Sequence, residues 1–530
     1  MKNIFNSTKH RRAKKNNFDL SHEKKLSMKM GGLYPCLLQE VIPTDEFQVK
    51  TESLVRLAPL VSPMMHRVDC HIHYFFVPHR LIWNEWEDFI TGGDNGEALP
   101  SFPRIGTGSP NLTAKRGVGD LLDYLGVPPS NSNSDFFISQ MPMRAYQTIF
   151  NEFYRDQNLQ DEIDVPLGSG NTSDATIINN LCTLRTRNWE KDYFTSCLPE
   201  PQKGPEVTLP LGDTADIDWR LPNDGSNLGD VSRDSVTGAN YPANPAGASY
   251  NIETGPNGNT IANNNNISVD NSRFLEADLS TATAATINDL RKATAVQRWL
   301  ETAMRGGSRY VEQLWSHFGT KAGDARLQRP EYLGGGKTPI VISEVLNQYN
   351  SSANANDAPV GDMSGHGIAV SNNYGFTKKF TEHGYIMGIM SVLPKTAYFQ
   401  GLHKSWFKFD KFQYYFPTFA NLGEEEVLNI ELYDQGAGGT NLEAFGYQQR
   451  YADYKTAFST VHGDFRTNLN HYHMSRQFEN TPVLNNEFVE SDPTDRVFAV
   501  QDGTDTLWCQ IYHDVKALRP IPYHADPRLS

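Results

Sequence analysis

Cysteine is scarce in this 530-residue chain. The five residues, Cys36, Cys70, Cys182, Cys197 and Cys509, are odd in number and scattered, with no CxxC pair. That set predicts reduced thiols and a cytoplasmic folding environment, not a disulfide framework. Long apolar runs are missing as well. Tyr385 to Leu393 is among the longest and holds nine residues, one of them Gly388, far short of the 18 or so that a membrane span needs. The charged N-terminus lacks the apolar centre of a signal peptide. The expectation is a soluble chain with no membrane partner and no conventional export signal. Catalytic signatures are equally sparse: Gly-x-Ser-x-Gly and HExxH are absent, and no local catalytic motif surrounds any cysteine.

What is present is charge of both signs, unevenly spread. The formal net charge is -14. Residues 1–30 hold nine Lys/Arg against Asp19 and Glu23, hence +7, which leaves -21 for the other 500 residues. A basic arm (1–30) on an acidic body (31–530) reads as a tail for nucleic acid or another polyanion, or as a solvated tail without a ligand. Hydrophobic residues make up 38% and aromatics 11%, enough for a core, while a mean hydropathy of -0.53 points to long polar loops on an apolar frame.

Patterning gives many strands and few helices. Val68 to Val77 predicts a strand buried on both faces. Further strand candidates are His383–Leu393, Lys404–Tyr415, Val427–Leu432 and Thr506–Val515. Helical spacing aligns Trp83, Trp86, Phe89 and Ile90 before Gly92-Gly93. It also aligns Tyr146, Ile149, Phe150 and Phe153 after Pro142, and two stripes at Ile287–Leu300 and Val311–Phe318. An Asn/Gly-rich stretch at about 210–271 and a second polar loop at about 347–373 read as large insertions.

Several constellations invite chemistry. Leu333 to Pro339 (LGGGKTP) lacks the first phosphate-loop glycine, whose place is taken by Glu331, so a glycine turn is favoured. His71 with His73, and His471 with His473 if that segment is extended, could share a strand face. No third ligand accompanies either pair, so packing or interface histidines are favoured over a metal site. The segment Trp406–Phe419 alternates rings with Lys408 and Lys411, a makeup shared by base-stacking surfaces, buried strands and subunit interfaces; packing is favoured. No catalytic residue, cofactor or metal is expected.

Blocks along the chain resemble one family. Phe18–Gly32, Leu57–Met65, Phe76–Gly93, Asn188–Val207, Arg309–Pro339, Phe445–Phe465 and Val515–Pro522 resemble microvirus major capsid proteins, above all the gokushovirus-like branch of these single-stranded DNA phages. The resemblance implies an eight-stranded antiparallel jelly-roll barrel whose long inserted loops carry several short helices. It implies sixty copies in a T=1 icosahedral shell around a circular single-stranded DNA genome, assembled in the host bacterial cytoplasm and residing in the virion. The stretch 210–271 resembles the insertion that forms a surface protrusion in this branch. That makes Asn257, Asn259, Asn263, Asn264, Asn265 and Asn266 candidates for host-receptor contact, against the alternative of a variable solvated loop. Lys9, Arg11, Arg12, Lys14 and Lys15 are candidate DNA contacts. Sixty arms at +7 give 420 charges, against a genome with on the order of thousands of phosphates. A small basic DNA-packaging protein and counterions must therefore do most of the neutralising, with an internal scaffolding protein and a DNA pilot protein as further implied partners. The competing reading is a standalone carbohydrate-binding or hydrolytic β-sandwich; a nucleic-acid-binding regulator is disfavoured by the acidic body.

Overall fold

Period-two burial marks the frame: in Glu46–Leu57 nearly every second side chain is buried, and in Leu507–Arg519 the same alternation recurs. The computed structural model describes residues 14–94, 97–129, 136–204, 207, 216–220, 274–278, 287–307, 310–319, 323–347, 363–437 and 439–524. The chain divides into two units, residues 204–300 and the remainder. The smaller unit holds an antiparallel hairpin, Asp216–Arg220 with Phe274–Asp278, and most of helix Ile287–Gly306.

The larger unit is mainly β. Its principal strands are β1 (Asn16–Asp19), β2 (His22–Met28), β3 (Tyr34–Val41), β4 (Glu46–Leu57), β5 (Val68–Pro78), β6 (Glu331–Leu346), β7 (Met363–Lys379), β8 (Gly384–Pro394) and β9 (Leu507–Arg519). They form one antiparallel sheet in the order β1-β9-β4-β7-β6-β5-β8-β3, with β2 also on β9. The long strand β6 makes the corner. Its first part, Glu331–Ile340, pairs with β5, and Val341–Leu346 pairs with β7. The sheet therefore curls, and β2, β9, β4 and β7 face β3, β8, β5 and β6 across a shared core that includes Cys36, Phe47, Val55, Tyr74, Phe76, Met390 and Ile511.

A buried polar chain crosses that core. The Cys36 carbonyl can only accept, so His513 Nε2 carries the proton and donates to it at 3.1 Å. His513 Nδ1 then accepts from the Thr51 hydroxyl at 2.9 Å, and Thr51 accepts from Tyr74. Strands β5, β4, β9 and β3 are tied together by one satisfied network, which fixes how the two halves face each other.

Two long connections leave the frame, 79–330 and 395–506. The first covers the outer side of the β5/β8 half. Phe75, Val77, Met387 and Ile389 meet Trp83, Met141, Tyr146 and Phe150. Pro142 stands in the first turn of helix Met141–Ile149, which continues as a π turn at Phe150–Tyr154. Gly92 takes the left-handed conformation that ends helix Trp86–Thr91.

The structure corrects several expectations. Residues 16–19 and 22–28, within the basic N-terminal segment 1–30, form strands β1 and β2 against β9. LGGGKTP is not a turn but part of β6, bulged between Tyr332 and Gly334 opposite β5. A Cβ on Gly336 would lie 1.8 Å from the Tyr374 ring, so glycine is there to let strands approach. Residues 363–373, assigned to the second polar loop, open β7. Lys404–Tyr415 is not a strand, and only the first part of Val427–Leu432 is extended before helix Asn429–Leu432.

Candidate assembly surface

The aromatic segment that alternation suggested as a strand is instead three 3-10 turns, Lys404–Trp406, Lys411–Gln413 and Pro417–Phe419. Asp410 caps the middle turn through the Phe412 amide, and Gln413 accepts the Asp410 amide at 3.1 Å. Pro417 starts the third turn. Backbone groups are met locally, so no neighbouring strand is required.

Polar contacts hold the segment from behind. Lys404 pairs with Glu425 at 2.8 Å. Lys408 pairs with Asp453, both side chains nearly inaccessible, and its ammonium sits 3.7 Å from the Tyr454 ring centre. Burial pulls the Lys408 pKa down, but the bonds to Asp453 and Tyr454 outweigh it and hold it above the ordinary lysine value. Tyr451, in the left-handed conformation, donates to the Phe412 and Tyr414 carbonyls, and Arg450 donates to Phe412 as well.

The rings face outward. Trp406 is 74% and Phe409 89% exposed, and Phe412, Tyr414, Tyr415 and Phe416 lie between 39% and 54%. With about 200 Å² per aromatic side chain this is roughly 700 Å² of exposed ring surface. A standard interface covers about 800 Å² per partner, so this apron alone approaches one side of a stable contact. Rings rigidly anchored from behind and bare in front suit recognition by another surface.

The other candidates sit elsewhere. His71 and His73 share a face of β5 with ring centres 6.0 Å apart. His71 Nε2 lies 3.5 Å from Glu190 and His73 Nδ1 2.8 Å from the Tyr154 hydroxyl. Burial, reinforced by Arg187, pushes their pKa values down to about 3 and about 4. Asp69 opposes this for His71, but Lys337, which pairs with both Asp69 and Glu190, lowers it further. His471 and His473 are not on an extended segment: Asn470–Tyr472 is a 3-10 turn, and His473 is buried against Phe465 O and Arg496. Among the described residues no three His, Cys, Asp or Glu side chains gather as a metal site. All five cysteines are buried free thiols, and burial pushes Cys36, Cys70 and Cys182 up to about 12.

Of the arm cations, Lys14 is exposed and Lys15 donates to the Thr44 carbonyl. Lys24 is half-buried on the Pro35 and Tyr124 carbonyls, and burial lowers its pKa. Lys9, Arg11 and Arg12 lie outside the described residues. So do Asn257, Asn259, Asn263, Asn264, Asn265 and Asn266.

Comparison with known proteins gives the surface its context. The family described as "Capsid protein (F protein)" matches residues 6–529. The chain belongs to this capsid family. It is 35% identical to capsid protein VP1 of Chlamydia phage 1, over all of this chain and 98% of that one. It is 37% identical to capsid protein VP1 of Bdellovibrio phage phiMH2K, over 96% and 94%. The capsid protein VP1 of Spiroplasma virus 4 is 31% identical over 96% and 94%. These are gokushovirus-type microviruses, as the sequence blocks suggested. This capsid protein is therefore structural and not enzymatic, a virion component that assembles with copies of itself. No helix among the described residues is long and apolar enough to cross a membrane.

Proposed function

We propose that the chain is the unit of a T=1 shell in which sixty copies enclose a circular single-stranded DNA genome, and that its frame is a jelly roll. Pairing order supports the fold. One half reads β2-β9-β4-β7 and the other β3-β8-β5-β6, two four-stranded sheets linked as in a double Greek key. The wide connections 79–330 and 395–506 are the inserted loops that such a wedge re-tailors for its neighbours.

The observation that carries the assembly reading is the anchored apron at Trp406–Phe416. In a closed shell each copy must offer a surface to a different patch on the next, and the apron is built as one such surface. The test is a double substitution, Trp406→Ser with Phe409→Ser, in the full chain, with negative-stain microscopy of assembled material. Wild-type shells and dispersed variant protein of normal secondary structure are expected. Shells formed equally by both would remove the apron from the contact.

DNA contact by the N-terminus belongs to the same proposal, narrowed by the structure. The proposed contacts are Lys9, Arg11, Arg12 and Lys14; Lys15 bonds the Thr44 carbonyl. With Lys24 engaged by two carbonyls as well, the arm neutralises even less of a genome than its formal +7 suggests, which supports a separate small basic packaging protein. A scaffolding protein and a pilot protein complete the proposed partners. The 210–271 stretch, with its candidate asparagines, is proposed as the host-contact loop. Deleting residues 1–13 tests the arm, with reduced genome retention at raised salt expected.

A further inference from the structure

The two halves of the sheet are finished differently on their outer sides. Helices cover the β5/β8 half, whereas the outward side of β2, β9 and β4 carries Trp508, half exposed in the middle of a sheet. The register sets its neighbours. Trp508 pairs with Arg56 on β4 and with Ser27 on β2, and Gln510 pairs with Leu54 and Lys25. Alternation along β2 exposes Lys25 and Ser27 on the same side. Lys25 and Arg56 are both exposed and form no ion pair among the described residues. They flank the indole across two strand spacings and a two-residue offset, about 12 Å apart at Cα. Two cations flank the ring, while Asp505, held by Ser27, is the near anion; Lys29, beyond the end of β2, faces Asp495 instead. A shallow groove runs between Lys25, Arg56 and Trp508.

The cationic character is confined to this end. Tyr512, also exposed, pairs with Glu52 and Glu23, and the chain as a whole carries -14. An exposed indole flanked by Lys25 and Arg56, on an otherwise acidic body, matches a polyanion with stackable faces. We infer that the Trp508 face of β2, β9 and β4 binds single-stranded nucleic acid, a base on the indole and phosphates on Lys25 and Arg56. This rests on the reading that the shell encloses single-stranded DNA.

The experiment titrates the full-length unassembled chain into a labelled oligodeoxythymidylate of about 20 nucleotides, following anisotropy and tryptophan quenching. Trp508→Ala is expected to weaken binding about 5- to 150-fold. Lys25→Ala with Arg56→Ala is expected to flatten the slope of log affinity against log salt by about 1.4, and serves alone if Trp508→Ala lacks the wild-type circular dichroism. Shell formation by each variant, viewed by microscopy, is expected to be unchanged. Unaltered affinity and salt slope would overturn the assignment. So would variants that bind DNA normally but fail to form shells, since the face would then be a protein contact. Failure of the wild type to form shells would sink the capsid architecture and leave the DNA titration to stand or fall separately.

Discussion

Protonating His513 breaks a chain of hydrogen bonds that ties four strands together. The imidazole is fully buried; its Nδ1 accepts from Thr51 and its Nε2 donates to the Cys36 carbonyl. Burial, with His22 and Lys24 adding to it, pushes its pKa down to about 4 from an ordinary 6.5. Between those values the unfolded chain binds the proton and the folded chain does not, so stability falls as pH falls from about 6.5 toward 4. A shift of that size corresponds to about 3 kcal/mol in full, of which about 2.5 kcal/mol is lost between pH 7.5 and 4.5. Urea unfolding of the unassembled chain at both pH values measures this. His513→Met costs stability at pH 7.5, because Thr51 and the Cys36 carbonyl lose their partner, but it removes the titration. The drop from pH 7.5 to 4.5 should then be smaller than in the wild type by about 2.5 kcal/mol. Equal drops in the two proteins would refute the role given to His513.

Other consequences are accessible to simple assays. Asp453→Ala strands the buried Lys408 ammonium behind the apron and should cost about 3–5 kcal/mol; adding Lys408→Ala should recover part of it, which denaturant melts of the single and double variants would show. Gly336→Ala drives a methyl into the Tyr374 ring and should destabilise by about 1–3 kcal/mol, with wild-type stability the contrary result. The buried thiols, their pKa values raised by burial, should resist a thiol reagent at pH 8 in the native chain and all react on unfolding; prompt labelling of the native protein would contradict their placement.

How much of this was legible depended on whether local pattern and tertiary environment agreed. β5, β8 and β9 were readable because their burial follows their sequence, doubly buried in β5 and β8 and alternating in β9. β2 was hidden because HEKKLSM is mostly polar, as befits an outer strand whose exposed side meets water. β7 opens with Ser, Gly and Asn residues that read as loop; pairing with β4 and β6 overrides that propensity. The opposite error occurred at Lys404–Tyr415, where alternating rings imitate a strand while Asp410 and Pro417 set turns. The apron's aromatic content was visible, but its exposure was not, because the buried anchor Lys408–Asp453 joins residues 45 apart in sequence. Trp508 gave no signal beyond its place in an alternating strand. Its cationic surround comes from β2 and β4, some 480 and 450 residues away.

Electron cryomicroscopy of purified particles tests the central account most directly. Sixty chains of 59.6 kDa should form one T=1 shell of about 3.6 MDa, with Trp406 and Phe409 covered by a neighbouring copy. A shell of different copy number, or one in which the apron stands bare in solvent, would contradict it.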